Sequence, residues 1–236
     1  MTRWSEGGVM KSKIPLVSVI IPVKDGERFL KETIQSVIAQ TYEEIEIIVV
    51  DNGSTDHSAK IAKSFLEVKY FFYDHKLQNA AARNFGFKKS KGEFVCFLDH
   101  DDLFLPDKTI EQLEYFRKHP EVDFVYGLAD GFLEANTPKP AWVREGSLKK
   151  GSLDMSPCTW MVKRSLLGKI GAFNEDFIYT CDVEWFVRAQ RKGAKIAYLE
   201  KSVARKRVHD GNQSAHPDPL QVKKYYDEML RIFRKQ

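Results

Sequence analysis

The hydrophobic pattern of this 236-residue chain switches repeatedly between two periods. Val17-Ser18-Val19-Ile20-Ile21 is a β-branched run closed by Pro22, the mark of a buried strand. From Glu27 to Gln40 the period changes, and Phe29, Leu30, Ile34, Val37 and Ile38 recur at helical spacing. Ile45 to Val50 reads as a second strand. It ends at Asp51-Asn52-Gly53-Ser54, where Ser54 or Thr55 is placed to cap a helix running to about Glu67. A strand near Val68 to Tyr73, a helix from Asn79 to Lys89, a strand from Glu93 to Leu98 and a helix from Lys108 to His119 continue the rhythm. Asp107 is the expected cap of the last helix. Strands alternating with helices of this length predict an α/β fold with a mostly parallel central sheet, helices on both faces and right-handed crossovers. In such a sheet Pro22, Asp51 and Asp99 emerge together at the carboxyl edge, where ligands bind.

Beyond Asp123 the rhythm changes. A short strand reaches Gly127, and Ala129 to Gly151 is rich in Pro, Gly and Asn and carries no clear period, although it has room for a hairpin. Cys158 to Val162 reads as a strand. Asp182 to Lys192 reads as a helix with Val183, Phe186 and Val187 inward, and Ile196 to Leu199 as a further strand. A last helix, Leu220 to Arg234, places Tyr226, Met229, Leu230 and Phe233 on one face, with Lys223, Lys224, Arg231 and Arg234 around it. That pattern suits a helix packed on its own domain and equally a basic helix lying on anionic lipid. The expected organisation is an arm over residues 1–14 and one domain over 15–236. Within it lie a first half (15–127), a second half (128–216) and the C-terminal helix (217–236).

The composition, 43% hydrophobic and 30% charged, is that of a globular protein, and no apolar run approaches the roughly 20 residues that span a bilayer. Lys and Arg exceed Asp and Glu by only 37 to 33, which argues against nucleic acid as a partner while allowing anionic substrates or an anionic membrane surface. Cys96, Cys158 and Cys181 lack CxxC spacing, so neither a disulfide framework nor a zinc site is expected. The first residues have no apolar core of a signal peptide. A cytoplasmic protein, with peripheral contact at the inner membrane face as an option, is the corresponding expectation.

The most informative chemistry is Asp99-His100-Asp101-Asp102, directly after Phe94-Val95-Cys96-Phe97-Leu98. A strand that carries carboxylates out of a sheet's carboxyl edge offers hard oxygen ligands to a divalent cation, as a diphosphate-bearing substrate requires. Asp residues also form turns and caps, but Asp107 suffices for the following helix and leaves Asp99 and Asp101 unexplained.

Taken together, the motifs resemble those of the family 2 glycosyltransferases, enzymes of the GT-A fold, over nearly all of Pro15 to Ser214. Val17-Ser18-Val19-Ile20-Ile21-Pro22 resembles the opening strand of that family, and Val49-Val50-Asp51-Asn52-Gly53-Ser54-Thr55-Asp56 its second nucleotide-contacting turn. Ala82-Arg83-Asn84-Phe85-Gly86 resembles the helix before the metal strand, and Asp99-His100-Asp101-Asp102 the Asp-x-Asp motif. Gly171-Ala172-Phe173-Asn174-Glu175 and Cys181-Asp182-Val183-Glu184-Trp185 resemble the acceptor-side segment and the helix of the catalytic base. Arg207-Val208-His209-Asp210-Gly211-Asn212-Gln213-Ser214 resembles a segment that closes over donor phosphates.

The resemblance implies an inverting transfer of a sugar from a nucleoside diphosphate sugar, UDP-linked, to a hydroxyl of a glycan or lipid-linked acceptor. It implies Mn2+ or Mg2+ as cofactor, with Asp101 the direct ligand, Asp99 on the ribose or the metal's water shell, and His209 a further ligand. Pro22, Val23, Lys24, Asp51, Arg83, Asp99 and His100 form the implied nucleotide set. Asp51 can accept from a uracil imide N–H, with Asp51-Asn52-Gly53 as a mere turn the alternative. Arg83 can hold base or phosphate, or pair with a local carboxylate. Asp182 is the implied general base, or else a helix cap, and its place at a helix start would lower its pKa. Arg205, Lys206 or Arg207 can meet phosphate oxygens. Lys24-Asp25, Cys181 and Lys76-Leu77-Gln78 depart from the family pattern. A sugar nucleotidyltransferase and a non-catalytic nucleotide-sugar-binding scaffold are the competing readings. The former is weakened by Val23-Lys24-Asp25-Gly26, a poor triphosphate loop.

Overall fold

In the computed structural model the first strand, β1 (Val17–Val23), is buried along its whole length because helices cover both of its faces. The structure describes residues 14–73, 79–134, 156–209, 211–212 and 219–234, together with positions 139, 143, 146, 148, 150 and 151. The expected N-terminal arm and Lys76-Leu77-Gln78 therefore lie, apart from Ile14, outside the described residues. Eight strands form one sheet in the order β3-β2-β1-β4-β7-β6-β8-β5. These are β2 (Ile45–Asp51), β3 (Val68–Phe72), β4 (Phe94–Phe97), β5 (Leu103–Phe104), β6 (Phe124–Phe132), β7 (Trp160–Lys163) and β8 (Ile196–Arg207). Only β7 and β5 run antiparallel to their neighbours, so the sheet is mostly parallel, as the alternating pattern predicts.

Among the described residues seven α-helices surround it: α1 (Leu30–Ile38), α2 (Ser58–Lys63), α3 (Asn79–Lys89), α4 (Lys108–Lys118), α5 (Arg164–Ile170), α6 (Cys181–Arg191) and α7 (Pro219–Arg234). One apolar cluster joins alternate residues of β1 and β2 to α1 and α4, and a second joins Ile20, Val95, Phe97 and Phe124 to α5 and α6. Helix α3 lies close on the sheet because its inner face is Ala80, Ala81, Ala82 and Gly86; a Cβ on Gly86 would collide with Ile20.

Several element boundaries differ from expectation for local reasons. Helix α1 begins at Leu30 because the Gly26 carbonyl accepts the N–H groups of both Phe29 and Leu30, making a turn of the preceding residues. Neither Ser54 nor Thr55 caps α2; Asp56 Oδ1 accepts the Ser58 N–H at 2.9 Å. Asp107 precedes α4, yet its side chain accepts the Thr41 hydroxyl instead of capping the helix. Strand β8 is twelve residues long, far beyond the expected Leu199, because it pairs with β6 from Ile196 to Arg207 and with β5 on its other side at Ala204 and Arg205. Helix α7 seats Glu228 and Ile232, with Met229 half-buried, whereas Tyr226, Leu230 and Phe233, expected to share the packed face, are exposed.

The register aligns the carboxyl ends of the parallel strands. Val23 lies beside Asp51, and Ile20 beside Phe97, so the β1 loop, Asp51 and the segment after Leu98 open on one edge.

Candidate active site

Asp51 ends β2 almost fully buried. Its Oδ1 accepts the Ser54 N–H at 2.8 Å and its Oδ2 the Tyr70 hydroxyl at 2.7 Å. Burial, with the Asp51 carboxylate adding to it, raises the Tyr70 pKa, so the phenol stays a donor. Pro22 and Val23 flank Asp51, and the Val23 carbonyl is occupied by the Asn52 N–H. Lys24 bonds the Gly53 carbonyl and lies 3.6 Å from Asp25. Asp25, at φ +48°, accepts the Thr55 N–H at 2.7 Å, while Ser54 Oγ accepts the Asp25 N–H at 3.0 Å. The Lys24-Asp25 departure thus cross-links the loops after β1 and β2. His100 packs its ring over Gly26, a place where a Cβ would strike it, and its carbonyl accepts the Thr33 hydroxyl.

Arg83, on the buried face of α3, is the centre of the site. Its Nη2 donates to Asp99 Oδ1 at 2.6 Å and its Nη1 lies 3.6 Å from Cys181 Sγ, the first residue of α6. Its buried Nε has no hydrogen-bond partner among the described residues. Of the two roles open to Arg83, the structure forms the carboxylate pair. Desolvation works against its charge, but Asp99, Cys181 and Asp182 outweigh it and raise the pKa, keeping the guanidinium charged.

Next to Arg83 on α3, Asn84 clasps the acceptor-side segment. Its Oδ1 accepts the Phe173 N–H at 2.9 Å, and its Nδ2 donates to the Phe173 carbonyl at 3.0 Å and to Glu175 at 2.9 Å.

The Asp motif meets residues more than a hundred positions away because β5, two residues after Asp101, pairs with β8 at Leu103↔Arg205. Asp101 Oδ2 lies 3.0 Å from His209 Nε2 and accepts from Asn212 Nδ2 at 3.1 Å. Burial raises the Asp101 pKa, but the hydrogen bond to His209 and the electrostatic influence of the His100 and His209 rings prevail and hold it low. Asp102 is buried, accepts the Arg207 N–H at 3.0 Å, and has its pKa pushed well up by burial and by Asp101. The Arg207 side chain does not meet the crevice as expected. Its Nε donates to the Asp101 carbonyl, its other nitrogens pair with Glu134 at 2.5 Å and Glu32 at 2.6 Å, and it stacks over Phe29 and Phe132. Arg205 likewise stacks on Phe132, at 4.1 Å.

The fit to a divalent cation can be judged from these atoms. The 3.0 Å between Asp101 Oδ2 and His209 Nε2 is the spacing of adjacent ligands each about 2.1 Å from an octahedral ion. His209 Nδ1 accepts the Gly211 N–H at 3.1 Å, so ligation through Nε2 requires the proton to move to Nδ1 and Gly211 to turn away. Among the described residues no group of three or more His, Cys, Asp or Glu is placed to hold an ion. The residues suit a cation completed by substrate phosphates and not an all-protein cage.

Asp182 stands in the first turn of α6, with Oδ1 accepting its neighbour Val183 N–H at 2.9 Å. The helix start was expected to lower its pKa. Burial prevails instead and raises it, with Arg83 pulling the other way. Cys181, where the resemblance leads one to expect Glu, is a buried thiol with its pKa pushed up to about 12 by desolvation, and is therefore inert at neutral pH.

The model of the family described as glycosyl transferase family 2 matches residues 18–171. The chain belongs to this family. An uncharacterized glycosyltransferase of Rickettsia typhi is 33% identical over 207 residues, covering 83% of this chain and 65% of that relative. Glycosyltransferase GlyG of Streptococcus pneumoniae serotype 4 is 34% identical over 116 residues, 48% of this chain and 38% of GlyG. The chain spans less than two thirds of these relatives' own lengths. Among solved structures, S. aureus TarS 1-349 in complex with UDP-GlcNAc is similar with a TM-score of 0.71 at 23% identity, covering 92% of this chain and 65% of that one. Mannosyltransferase PcManGT from Pyrobaculum calidifontis, in complex with GDP-Man and Mn2+, gives 0.67 at 18% identity, over 93% of this chain and 65% of that one. The fold of this family 2 glycosyltransferase is accordingly GT-A. Among its described residues no helix is long and apolar enough to cross a membrane.

Tyr70, Asn84, Asn212 and the Arg207 network are parts of the site that sequence reasoning missed. Asn212 lies in the same segment as His209, and its spacing of three from His209 was the available signal; Tyr70 gave none beyond its place in a strand.

Proposed function

We propose that this glycosyltransferase transfers a sugar, with inversion, from a UDP-sugar to a hydroxyl of a glycan or lipid-linked acceptor. The observation that carries this is the placement of Arg83 between two carboxylates, paired with Asp99 of the metal motif and beside Cys181-Asp182 at the start of α6. One end of the crevice can thus hold a leaving diphosphate while a carboxylate faces it from the other. Asp51, supported by Tyr70, retains lone pairs for the imide N–H of uracil. Asp101 and His209, with Asp99 through the water shell, would hold Mn2+ or Mg2+, which neutralises charge on the departing diphosphate. Asp182 takes the proton of the acceptor hydroxyl as its oxygen attacks the anomeric carbon; its raised pKa suits a base working nearer neutrality. The UDP-GlcNAc held by TarS and the GDP-Man and Mn2+ held by PcManGT support a metal-diphosphate donor.

The test is a thermal-shift screen of nucleoside diphosphates with and without MnCl2, followed by hydrolysis of UDP- and GDP-sugars. Stabilisation by UDP with Mn2+, and slow release of UDP from a UDP-sugar, are expected. Binding without hydrolysis of any sugar nucleotide would leave a scaffold and overturn the catalytic reading.

A further inference from the structure

Helix α7 contributes one carboxylate that the proposed reaction does not itself use. Glu228 is buried and reaches the loop that leads into α6, beside Arg231, whose guanidinium lies 4.6 Å over the Phe177 ring of the same loop. Its Oε1 accepts the Ile178 N–H at 2.8 Å. Its Oε2 accepts the N–H groups of Tyr179 and Thr180, both at 3.0 Å, and the Thr180 hydroxyl at 2.7 Å. One anion therefore gathers three consecutive backbone amides and a hydroxyl. Thr180 is the residue before α6, fully buried, and its side chain makes no capping bond to its own helix because it is committed to Glu228. Asp182 lies two residues further on.

We propose that Glu228 is a positioning residue for transfer, fixing the 178–180 segment so that the first turn of α6 presents the Asp182 carboxylate at the right place. The proposal rests on the reading of Asp182 as general base. Four charge-assisted hydrogen bonds define the dihedral angles of the segment more tightly than apolar packing does. Ile232 and Met229 give α7 an apolar seat beside the carboxylate. Misplacing a reacting group by about 1 Å can cost on the order of 10²-fold in rate, which makes the rate sensitive to this tether. The chemistry of Glu228→Gln is specific. The amide keeps one acceptor oxygen but turns an NH2 toward groups that are themselves donors.

The experiment uses the sugar nucleotide that the wild-type chain hydrolyses fastest among UDP- and GDP-sugars, with MnCl2, and compares Glu228→Gln, Asp182→Asn and the double variant. Calorimetry of UDP with Mn2+ is run in parallel. Glu228→Gln is expected to lower kcat roughly 10- to 100-fold with KM for the donor and UDP affinity within about twofold of wild type. The double variant is expected to be no slower than Asp182→Asn, since a residue acting through Asp182 has nothing left to position. Thr180→Val, which removes only the hydroxyl, is the variant that preserves the fold if Glu228→Gln does not; it should lower kcat in the same way, and Thr180→Ser should restore it. Losses that multiply in the double variant, or an unchanged kcat in Glu228→Gln and Thr180→Val, overturn the positioning role. An Asp182→Asn variant as fast as wild type, or a wild type that hydrolyses nothing, overturns the base reading instead, and the proposal with it.

Discussion

Replacing Arg207 by methionine separates two roles for the cation at the end of β8. In the structure its guanidinium is a structural clamp: Nε donates to the Asp101 carbonyl at 3.0 Å, and the other nitrogens pair with Glu134 and Glu32. The Phe29 and Phe132 rings lie 4.6 and 4.7 Å from it. Glu32 is 59% exposed and Glu134 30%, so solvent screens both pairs, and each contributes on the order of 0.5–1 kcal/mol. The carbonyl bond adds about 1 kcal/mol and the two ring contacts about 0.5–1 kcal/mol each. Methionine retains most of the stem packing, and both glutamates can turn to water, so no buried charge is stranded. The expected loss is about 3–5 kcal/mol, a fall in Tm of roughly 6–20 °C for a domain of this size. Scanning calorimetry of the chain without nucleotide measures it, and titration with UDP and with uridine, each with MnCl2, measures the rest. Affinity for UDP should fall only as far as the looser Asp101 backbone requires. An unchanged Tm with a selective loss of UDP over uridine binding would refute the clamp and return Arg207 to the phosphate-binding role suggested by its sequence context.

Asp101→Asn should fold normally yet lose Mn2+-dependent UDP binding, since an amide lacks the anionic oxygen a hard cation needs; an unchanged Kd in calorimetry would reduce the tetrad to a turn. Asp182→Asn should keep donor affinity while lowering transfer by about 10²- to 10⁴-fold, because the amide oxygen can still accept the Val183 N–H but no proton. Burial raises the pKa of Asp182 above 3.8, so wild-type activity should fall as pH drops through a value higher than that, and a limb at or below 3.8 would contradict the assignment. Lys108→Met probes a fully buried amine that donates to Gln112 and the Trp160 carbonyl and whose pKa burial lowers. Between that lowered pKa and about 10.4 the unfolded chain binds the extra proton, so wild-type stability should rise with pH at up to about 1.4 kcal/mol per unit. Urea midpoints at pH 7 and 9.5 should show this rise in wild type and not in the variant, and parallel behaviour of the two would mean that the amine stays charged inside.

The half of the fold that is legible in the sequence is the half whose local pattern and tertiary role agree. Strands β1, β2 and β4 are covered on both faces, so each is a largely apolar run, interrupted only by Ser18 and Glu46, with a proline or carboxylate at or just beyond its end, and those ends open on the candidate site. Helix α3 keeps its expected bounds of Asn79–Lys89 because its small inner residues and basic last turn mark it from within. Strand β8 escapes such reading. Glu200, Lys201 and Ser202 interrupt its apolar pattern, and its continuation depends on pairing with β6 and β5, which no local window contains.

The same distinction divides the site. Asp51, Asp99, Asp101 and Asp182 are recognisable because each sits where an element begins or ends, a position with a chemical meaning of its own. The roles of Arg207 and Glu228 are not, because Arg207 reads from its sequence context as a phosphate contact and a Glu on an amphipathic helix reads as a solvated face. Both are buried here, and backbone helps to hold each: the Asp101 carbonyl, beside Glu32 and Glu134, for one, the amides of residues 178–180 for the other. Backbone groups are present at every position and leave no mark in the sequence. A buried charge satisfied by a distant backbone is therefore the contact that sequence reading is least equipped to find. In this chain two such charges hold the strands and loops that carry the proposed metal ligand and the proposed base.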